Sequence, residues 1–445
     1  MMRTEFVLLA LFALPMTVTA QNFSGDARRI GMGGVGERSN MASEMAGDAR
    51  DYRSIVLPLG LYQVLEDTNV FDPRSDSFNP VRAMELAANP IHFTLDRDTN
   101  DAGSRLVEDV VNGTVSRDLN QYRGFAPAQS LTAAGLLAPS FGKTFRIAGN
   151  QNESFHGIYA GAGPYVSVGT GLAIDPALID LLGSGTDTYL PNTTFVIADQ
   201  TDAQAAAAGV IGYRARFGVP GRGFGASDRD GIYVAANYNY LYGFHYDAFD
   251  MAVRFDTDSE GLITLAPATE PVSVERLTSS RGRGFAVDVA TAIVVDRWEF
   301  AFAAQGIANR IDWSNFSAER FALSSLLDGG GFESTPLPAP TGPSRVELPV
   351  RYSGGGVYHA DAWSVEMEVS DGLQDLEFHG GGEYRTGFLE LRGGGRYTRD
   401  LWHASAGIGL NLPEGFGLDL AAFGTATNIE RRRTMSFAVS LRFDR

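Results

Sequence analysis

The chain has 445 residues, 44% of them hydrophobic, with 52 Gly, 28 Phe, 16 Tyr, no Cys and a formal charge of −17. That acidity argues against nucleic acid as a partner, and the lack of cysteine removes disulfides as a source of stability. The length would suit two or three soluble domains, yet no Pro/Ser linker or break in composition divides the later two thirds, so one large closed sheet is the simpler account.

At the N-terminus Arg3 precedes an apolar stretch from Phe6 to Leu14, and Val18-Thr19-Ala20 offers the small residues that a signal peptidase accepts. Residues 1–20 therefore read as a cleavable secretory signal, too short for a spanning helix, which needs about 20 apolar residues. Arg3 and Glu5 cancel, so the net charge survives cleavage. Residues 21–138 show little sustained alternation and contain Pro, Asn and Asp clusters. Within them Ile55 to Leu65 is apolar enough to require burial, which predicts an inserted plug or an extra wall strand. Gly31-x-Gly33-x-x-Gly36 with Asp51 is formally a dinucleotide fingerprint, but the buried strand before it and the helix after it are missing.

From residue 139 to 445 apolar and polar residues alternate with a period of two. Ile232, Val234, Ala236, Tyr238, Tyr240, Tyr242, Phe244 and Tyr246 form the clearest row. Phe285, Val287, Val289, Ile293 and Val295 share one parity, and Trp298, Phe300 and Phe302 follow a turn at Asp296-Arg297. Trp363, Val365, Met367 and Val369 interleave with Ser364, Glu366, Glu368 and Ser370. A hairpin from Leu376 to Tyr397 turns at Arg385-Thr386-Gly387, and Trp402 to Leu410 is followed by a turn at Pro413-Glu414-Gly415 and by Phe416, Leu418 and Leu420. The last strand is Phe437 to Phe443. Glutamates at successive inward positions would be ruinous in a dry core and are tolerable in a wet lumen. The pattern predicts an all-β fold: a transmembrane antiparallel β-barrel of the bacterial outer membrane with about 14 strands, between roughly 12 and 16.

Short turns near Asp247, Arg297, Asp361, Thr386 and Glu414 are expected to face the periplasm, with the C-terminus, and the long connections Asp256–Arg281 and Asp312–Arg345 the outside. Asp175–Thr201 then falls on the periplasmic side although it is too long for a turn, with a short helix expected around Pro176 to Leu182.

Glu366, Glu368, Glu377, His379, Glu383, Glu390, Arg392 and Arg396 share lumen parity on neighbouring strands. Their mixed signs predict ion pairs across strands and a wall able to hold the basic residues Arg28 and Arg29; a hydrated lumen lined by polar residues of any kind is the plainer alternative. One histidine among carboxylates lacks the spacing of a metal site. Gly354–Gly356, Gly380–Gly382 and Gly393–Gly395 lie inside strands, where curvature alone is the simpler reading and a kinked wall receiving a plug, or releasing a solute sideways, the functional one. His403-x-Ser405 resembles the His-x-Ser pair of outer-membrane phospholipases, but Trp402, Ala404 and Ala406 claim the lipid side, so the pair points inward and no catalytic residue is assigned. Arg431-Arg432-Arg433 falls in an outer loop, solvated or against lipopolysaccharide phosphates. No cofactor and no enzymatic activity are expected.

Ala27-Arg28-Arg29-Ile30-Gly31-Met32-Gly33-Gly34 resembles the A-R-x-x-G-M-G-G segment that opens many barrels related to the long-chain fatty-acid transporter FadL. That wider group includes PorV-type secretion barrels and TraF-like conjugation proteins. In the family this stretch lies inside the lumen as a hatch, so the resemblance implies that Gly31, Met32, Gly33 and Gly34, with Arg28 and Arg29, belong to a plug within 21–138. The Asn-Pro-Ala motif usual soon afterwards is represented only by Asn79-Pro80-Val81 and Asn89-Pro90-Ile91. The leading expectation is passive passage of hydrophobic or amphipathic small molecules, in contact with outer-membrane lipid and lipopolysaccharide. The alternatives are a partner-binding barrel for secretion or conjugation machinery, with Pro336, Pro338, Pro340 and Pro343 in its docking loop, and a structural or general diffusion barrel.

Overall fold

The computed structural model describes residues 26–35, 52–57, 59, 62, 93–95, 131–137, 141–149, 154–175, 190–219, 229–261, 263–264, 272–323, 333–372, 376–398, 401–425 and 434–444. The signal expected at 1–20, the helix expected at 176–182 and the arginines at 431–433 lie outside them. Among the described residues a short helix, α1 (Ala27–Gly31), precedes a sheet of 19 strands. In order these are β1 (Tyr52–Leu57), β2 (Phe93–Leu95), β3 (Leu131–Leu137), β4 (Phe141–Gly149), β5 (Phe155–Ile174), β6 (Thr194–Phe217), β7 (Gly231–Thr257), β8 (Ile263–Thr264), β9 (Val272–Val295) and β10 (Trp298–Leu323). They continue with β11 (Glu333–Leu337), β12 (Ser344–Val346), β13 (Arg351–His359), β14 (Trp363–Asp371), β15 (Glu377–Thr386), β16 (Leu389–Thr398), β17 (Leu401–Leu412), β18 (Phe416–Thr425) and β19 (Thr434–Asp444).

Neighbours in sequence are neighbours in space, all antiparallel, as short connections dictate. From β5 the ladder runs through β6, β7, β9, β10, β13 and on to β19. Several short strands lie end to end along a common neighbour. β3 and β4 share the free edge of β5, β11 and β12 prolong the line of β13 along β10, and β1 and β2 share the outer edge of β19. The ladder thus includes Leu131–Leu137 and two pieces nearer the N-terminus, ahead of the start expected at residue 139.

The turns at Asp296-Arg297 and Gly387-Phe388 join directly facing residues, Val295 to Trp298 and Thr386 to Leu389. Asp296 and Gly387 there take positive φ angles of 54° and 55°, the conformation that tight hairpins require. No turn exists at Asp247. β7 passes straight through it, paired with Ala203 on one side and Thr278 on the other. Removing that turn shifts every earlier connection to the opposite end, so the long connection after β5 joins the other long ones. It is also shorter than expected, because Thr194–Thr201 belongs to β6. Asp256–Arg281 and Asp312–Arg345 are likewise more than half strand, in the end of β7, β8 and β9 and in β10, β11 and β12. The physical source is local: this stretch of β7 does not keep the simple alternation, and clustered Asp residues imitate a turn.

Tyr246 also departs from its expected row. An extra residue, Phe244, bulges from β7 opposite Ala205–Ala206, so Tyr246 turns to the other face, where it stacks on Trp313 at 5.4 Å.

The two faces of the sheet invert the arrangement of a soluble protein. Trp402 is 63% exposed and Met367 69%, with Val365, Phe300, Phe302, Ile408 and Leu420 similarly bare. The other face buries Ser364, Glu368, Glu377, Glu390, Asp419 and Arg442. On the bare face Gly354 and Gly356 sit opposite Phe302 and Phe300, whose rings cover the strand where side chains are missing.

Candidate functional site

The site is the covered face of β15 to β19, with the Asp26–Val35 segment lying on it. Asp26 caps α1, its side chain accepting the Arg28 amide at 3.0 Å, and basic residues occupy the helix end where the peptide dipole favours them. The helix is brief because Gly33 and Gly34 follow it at φ 85° and 81°, reversing the chain as only glycine readily does.

Three sets of contacts attach this segment. At its start the Ala27 amide donates to Ser440 Oγ at 3.2 Å, and Ala27 and Ile30 pack on Ala421, Phe423 and Ala438. Along its length the backbone lies directly on glycine. Gly381 and Gly394 face each other across β15 and β16, and a Cβ on either would overlap the Met32 peptide; one on Gly33 would come within 2.6 Å of the Gly395 carbonyl oxygen. Gly407 meets Gly31 in the same way. Curvature alone therefore does not account for the triplets of β15 and β16. At its end the carbonyls that the helix leaves open are satisfied by the wall: Ser405 Oγ donates to Gly31 O at 3.3 Å, and His379 Nδ1 to Gly33 O at 2.8 Å.

Around these contacts runs a network of charge. Arg28 donates two hydrogen bonds to Glu383, at 2.7 and 3.0 Å. Glu383 also accepts a hydrogen bond from Arg392 at 2.8 Å, and the Arg385 guanidinium lies 2.9 Å from it as an ion pair. Arg392 continues to Asp419 at 2.6 Å and to Glu390, which Arg442 reaches at 2.9 Å. His379 Nε2 lies 3.4 Å from Glu377, and Arg29 is 3.7 Å from Asp26. Each side chain that leaves water here thus gains an opposite charge, the condition under which buried ions are tolerated.

Glu377, His379, Glu383, Glu390 and Arg392 are therefore brought together, with Arg28 among them. Glu366, Glu368 and Arg396 share the face on β14 and β16, farther from Arg28. His403 is buried there and Ser405 is spent on the Gly31 carbonyl. Asp26, Arg385, Asp419, Ser440 and Arg442 join the site without having been singled out. The period-two parity that marks Glu390 also marks Asp419 and Arg442.

A second part of the covered face, from β5 to β10, holds an apolar cluster among buried polar residues such as Arg214, Asn239 and Asp247. Tyr165, Ala206, Leu241, Tyr246, Ile311 and Trp313 form one buried cluster, backed by Gly243 and Gly282, which leave room for the Trp313 ring. The Trp313 indole donates to Gln204 at 3.1 Å, and Gln204 to Ser167 at 2.7 Å, so the ring's polar atom is satisfied.

No family profile matches the chain, and no curated protein does. Among solved structures it is similar to a TodX monoaromatic hydrocarbon channel mutant, at 12% identity and a TM-score of 0.32, over 65% of this chain and 81% of that one. It is similar also to a Pseudomonas aeruginosa FadL homologue, at 11% identity and 0.32, over 64% of this chain and 80% of that one. A Rhodopseudomonas blastica porin variant matches at 12% identity and 0.22, over 57% of this chain and all of that one.

Proposed function

We propose that the chain is an outer-membrane β-barrel that passes hydrophobic or amphipathic small molecules through a lumen partly filled by the Asp26–Val35 segment. The observation that carries this is the inversion of the two faces, bare aromatics against buried ion pairs, which suits hydrocarbon outside and an enclosed polar space within. Aromatic rings gather at both ends of the bare face: Trp298, Tyr358 and Trp363 near the short turns, Phe378, Tyr397 and Trp402 at the opposite end. Such rows mark the two membrane interfaces. On this reading the end-to-end strands each count as one, the ladder closes between β1–β2 and β3–β4 with about fourteen wall strands, and the short turns face the periplasm.

The apolar cluster around Trp313, on the same covered face as the charged network around Arg392, supports a solute with an apolar body. Native mass spectrometry of the chain extracted from its own membrane tests this. Recovery of one bound amphiphile is expected, whereas a stoichiometric protein partner without a small molecule would replace passage by an accessory role. The projecting end of β10, flanked by β11 and β12, is the feature that favours that second reading.

A further inference from the structure

On the bare face of β9 the apolar row ends where arginines begin. Val295, Ile293, Val289, Val287 and Phe285 point outward, followed by Arg283 and Arg281, both exposed. Their direction is set by Gly282 between them, which backs onto Trp313 on the covered face. In β10 the same change comes after Ile307, with Arg310 and Asp312 outward and Ile311 and Trp313 buried behind them. β12 adds Arg345.

These side chains are neighbours. Arg283 and Arg345 lie on either side of Asp312 in the register. Arg345 is 3.1 Å and Arg310 3.4 Å from that carboxylate, and Arg345 is 3.9 Å from Glu347. The Arg310 guanidinium lies over the Phe285 ring at 5.3 Å, and that ring stacks on Tyr238 at 6.0 Å. Among the described residues Arg281 and Arg283 have no ion pair. Four guanidinium groups thus face two carboxylates, on a chain whose net charge is −17.

Their height on the strand identifies their surroundings. Phe285 to Val295 is about the 9–11 residues that a tilted strand needs to cross the hydrocarbon. The arginines therefore stand at headgroup level, at the end opposite the short turns, above a ledge formed by Phe285, Tyr240 and Tyr242. Guanidinium groups bind phosphate oxygens in pairs, and rings beside them suit acyl chains.

We propose that Arg281, Arg283, Arg310 and Arg345 form a binding site for the phosphates of a phosphorylated glycolipid in the outer leaflet. The proposal rests on the barrel reading above, with its short turns in the periplasm. Asp312 holds Arg310 and Arg345 in place, while Arg281 and Arg283 supply the unpaired charge.

The test is native mass spectrometry of the full chain in detergent, its folded state checked by heat-modifiable gel mobility. The probes are bisphosphorylated lipid A, the same lipid after phosphate removal, and phosphatidylglycerol. Wild type is expected to retain the bisphosphorylated lipid roughly tenfold better than either other probe, a difference of about 1.4 kcal/mol. The double substitution R281Q/R283Q is expected to abolish that preference, whereas R297Q, at the short-turn end, is expected to keep it. Equal retention of the dephosphorylated lipid, equal retention of phosphatidylglycerol, or an unchanged preference in R281Q/R283Q would each overturn the site. Should the double variant not fold, the comparison of phosphorylated with dephosphorylated lipid on wild type still decides. Loss of preference on a correctly folded barrel would leave the barrel reading intact.

Discussion

At Gly381 and Gly394 even the side chain of alanine would meet the Met32 peptide, whereas at Gly393, one position away in β16, it would meet nothing. Gly394→Ala is therefore expected to lift the Asp26–Val35 segment from the wall at a cost of about 1–3 kcal/mol, seen as faster tryptic cleavage after Arg28 and Arg29, while Gly393→Ala leaves cleavage unchanged. Glu383 carries a second consequence, since it joins Arg28 to Arg392 and Arg385. Glu383→Gln strands positive charge in a covered place and is expected to cost about 3 kcal/mol of stability, measured by urea unfolding in detergent. That Glu383 and Arg392 share a face is legible from their spacing. Which arginine reaches which carboxylate is not, because long side chains on one face have several partners within reach.

Strand faces follow from alternation, and the contrast between Val365 and Ser364 tests them. Val365 is 45% exposed and Ser364 3% exposed, on opposite sides of β14. Val365→Arg is expected to cost about 2–4 kcal/mol in folding into lipid vesicles, and Ser364→Arg, opposite Glu383, distinctly less. Equal effects at the two positions would mean that the faces are misassigned. Alternation fails as a guide at the Phe244 bulge, where one extra residue reverses the parity of Tyr246, and in the far part of β7, a strand of 27 residues. At about 3.3 Å per residue that strand is roughly 90 Å long, far more than any bilayer demands. On the proposed barrel reading both faces of such an extension meet water or protein, so the physical cause of the pattern is gone there, and Asp247 sits mid-strand, held by Arg276 at 2.5 Å.

Among the described residues, early segments meet the last strand. Tyr52–Leu57 pairs with the last strand, and Ala27 touches Ser440, 413 residues away in sequence. A chain with no cysteine allows a direct test of whether the proposed passage needs this segment to move. Ala27→Cys with Ser440→Cys is expected to form a disulfide under mild oxidation and to lower solute uptake into vesicles about tenfold, with uptake restored by reductant. Unchanged uptake in the oxidised form would make the segment a fixed part of the wall.

Order along the chain sufficed for most strands, for their two faces away from the Phe244 bulge and for the tight turns other than the one expected at Asp247, because alternation between a bare and a covered face is imposed residue by residue on each strand. The resting of Met32 on Gly381 and Gly394, the Arg28–Glu383 pair across 355 residues and the clustering of Arg281, Arg283, Arg310 and Arg345 depend on register and bulges. Those are properties of strands already side by side, and no local period records them.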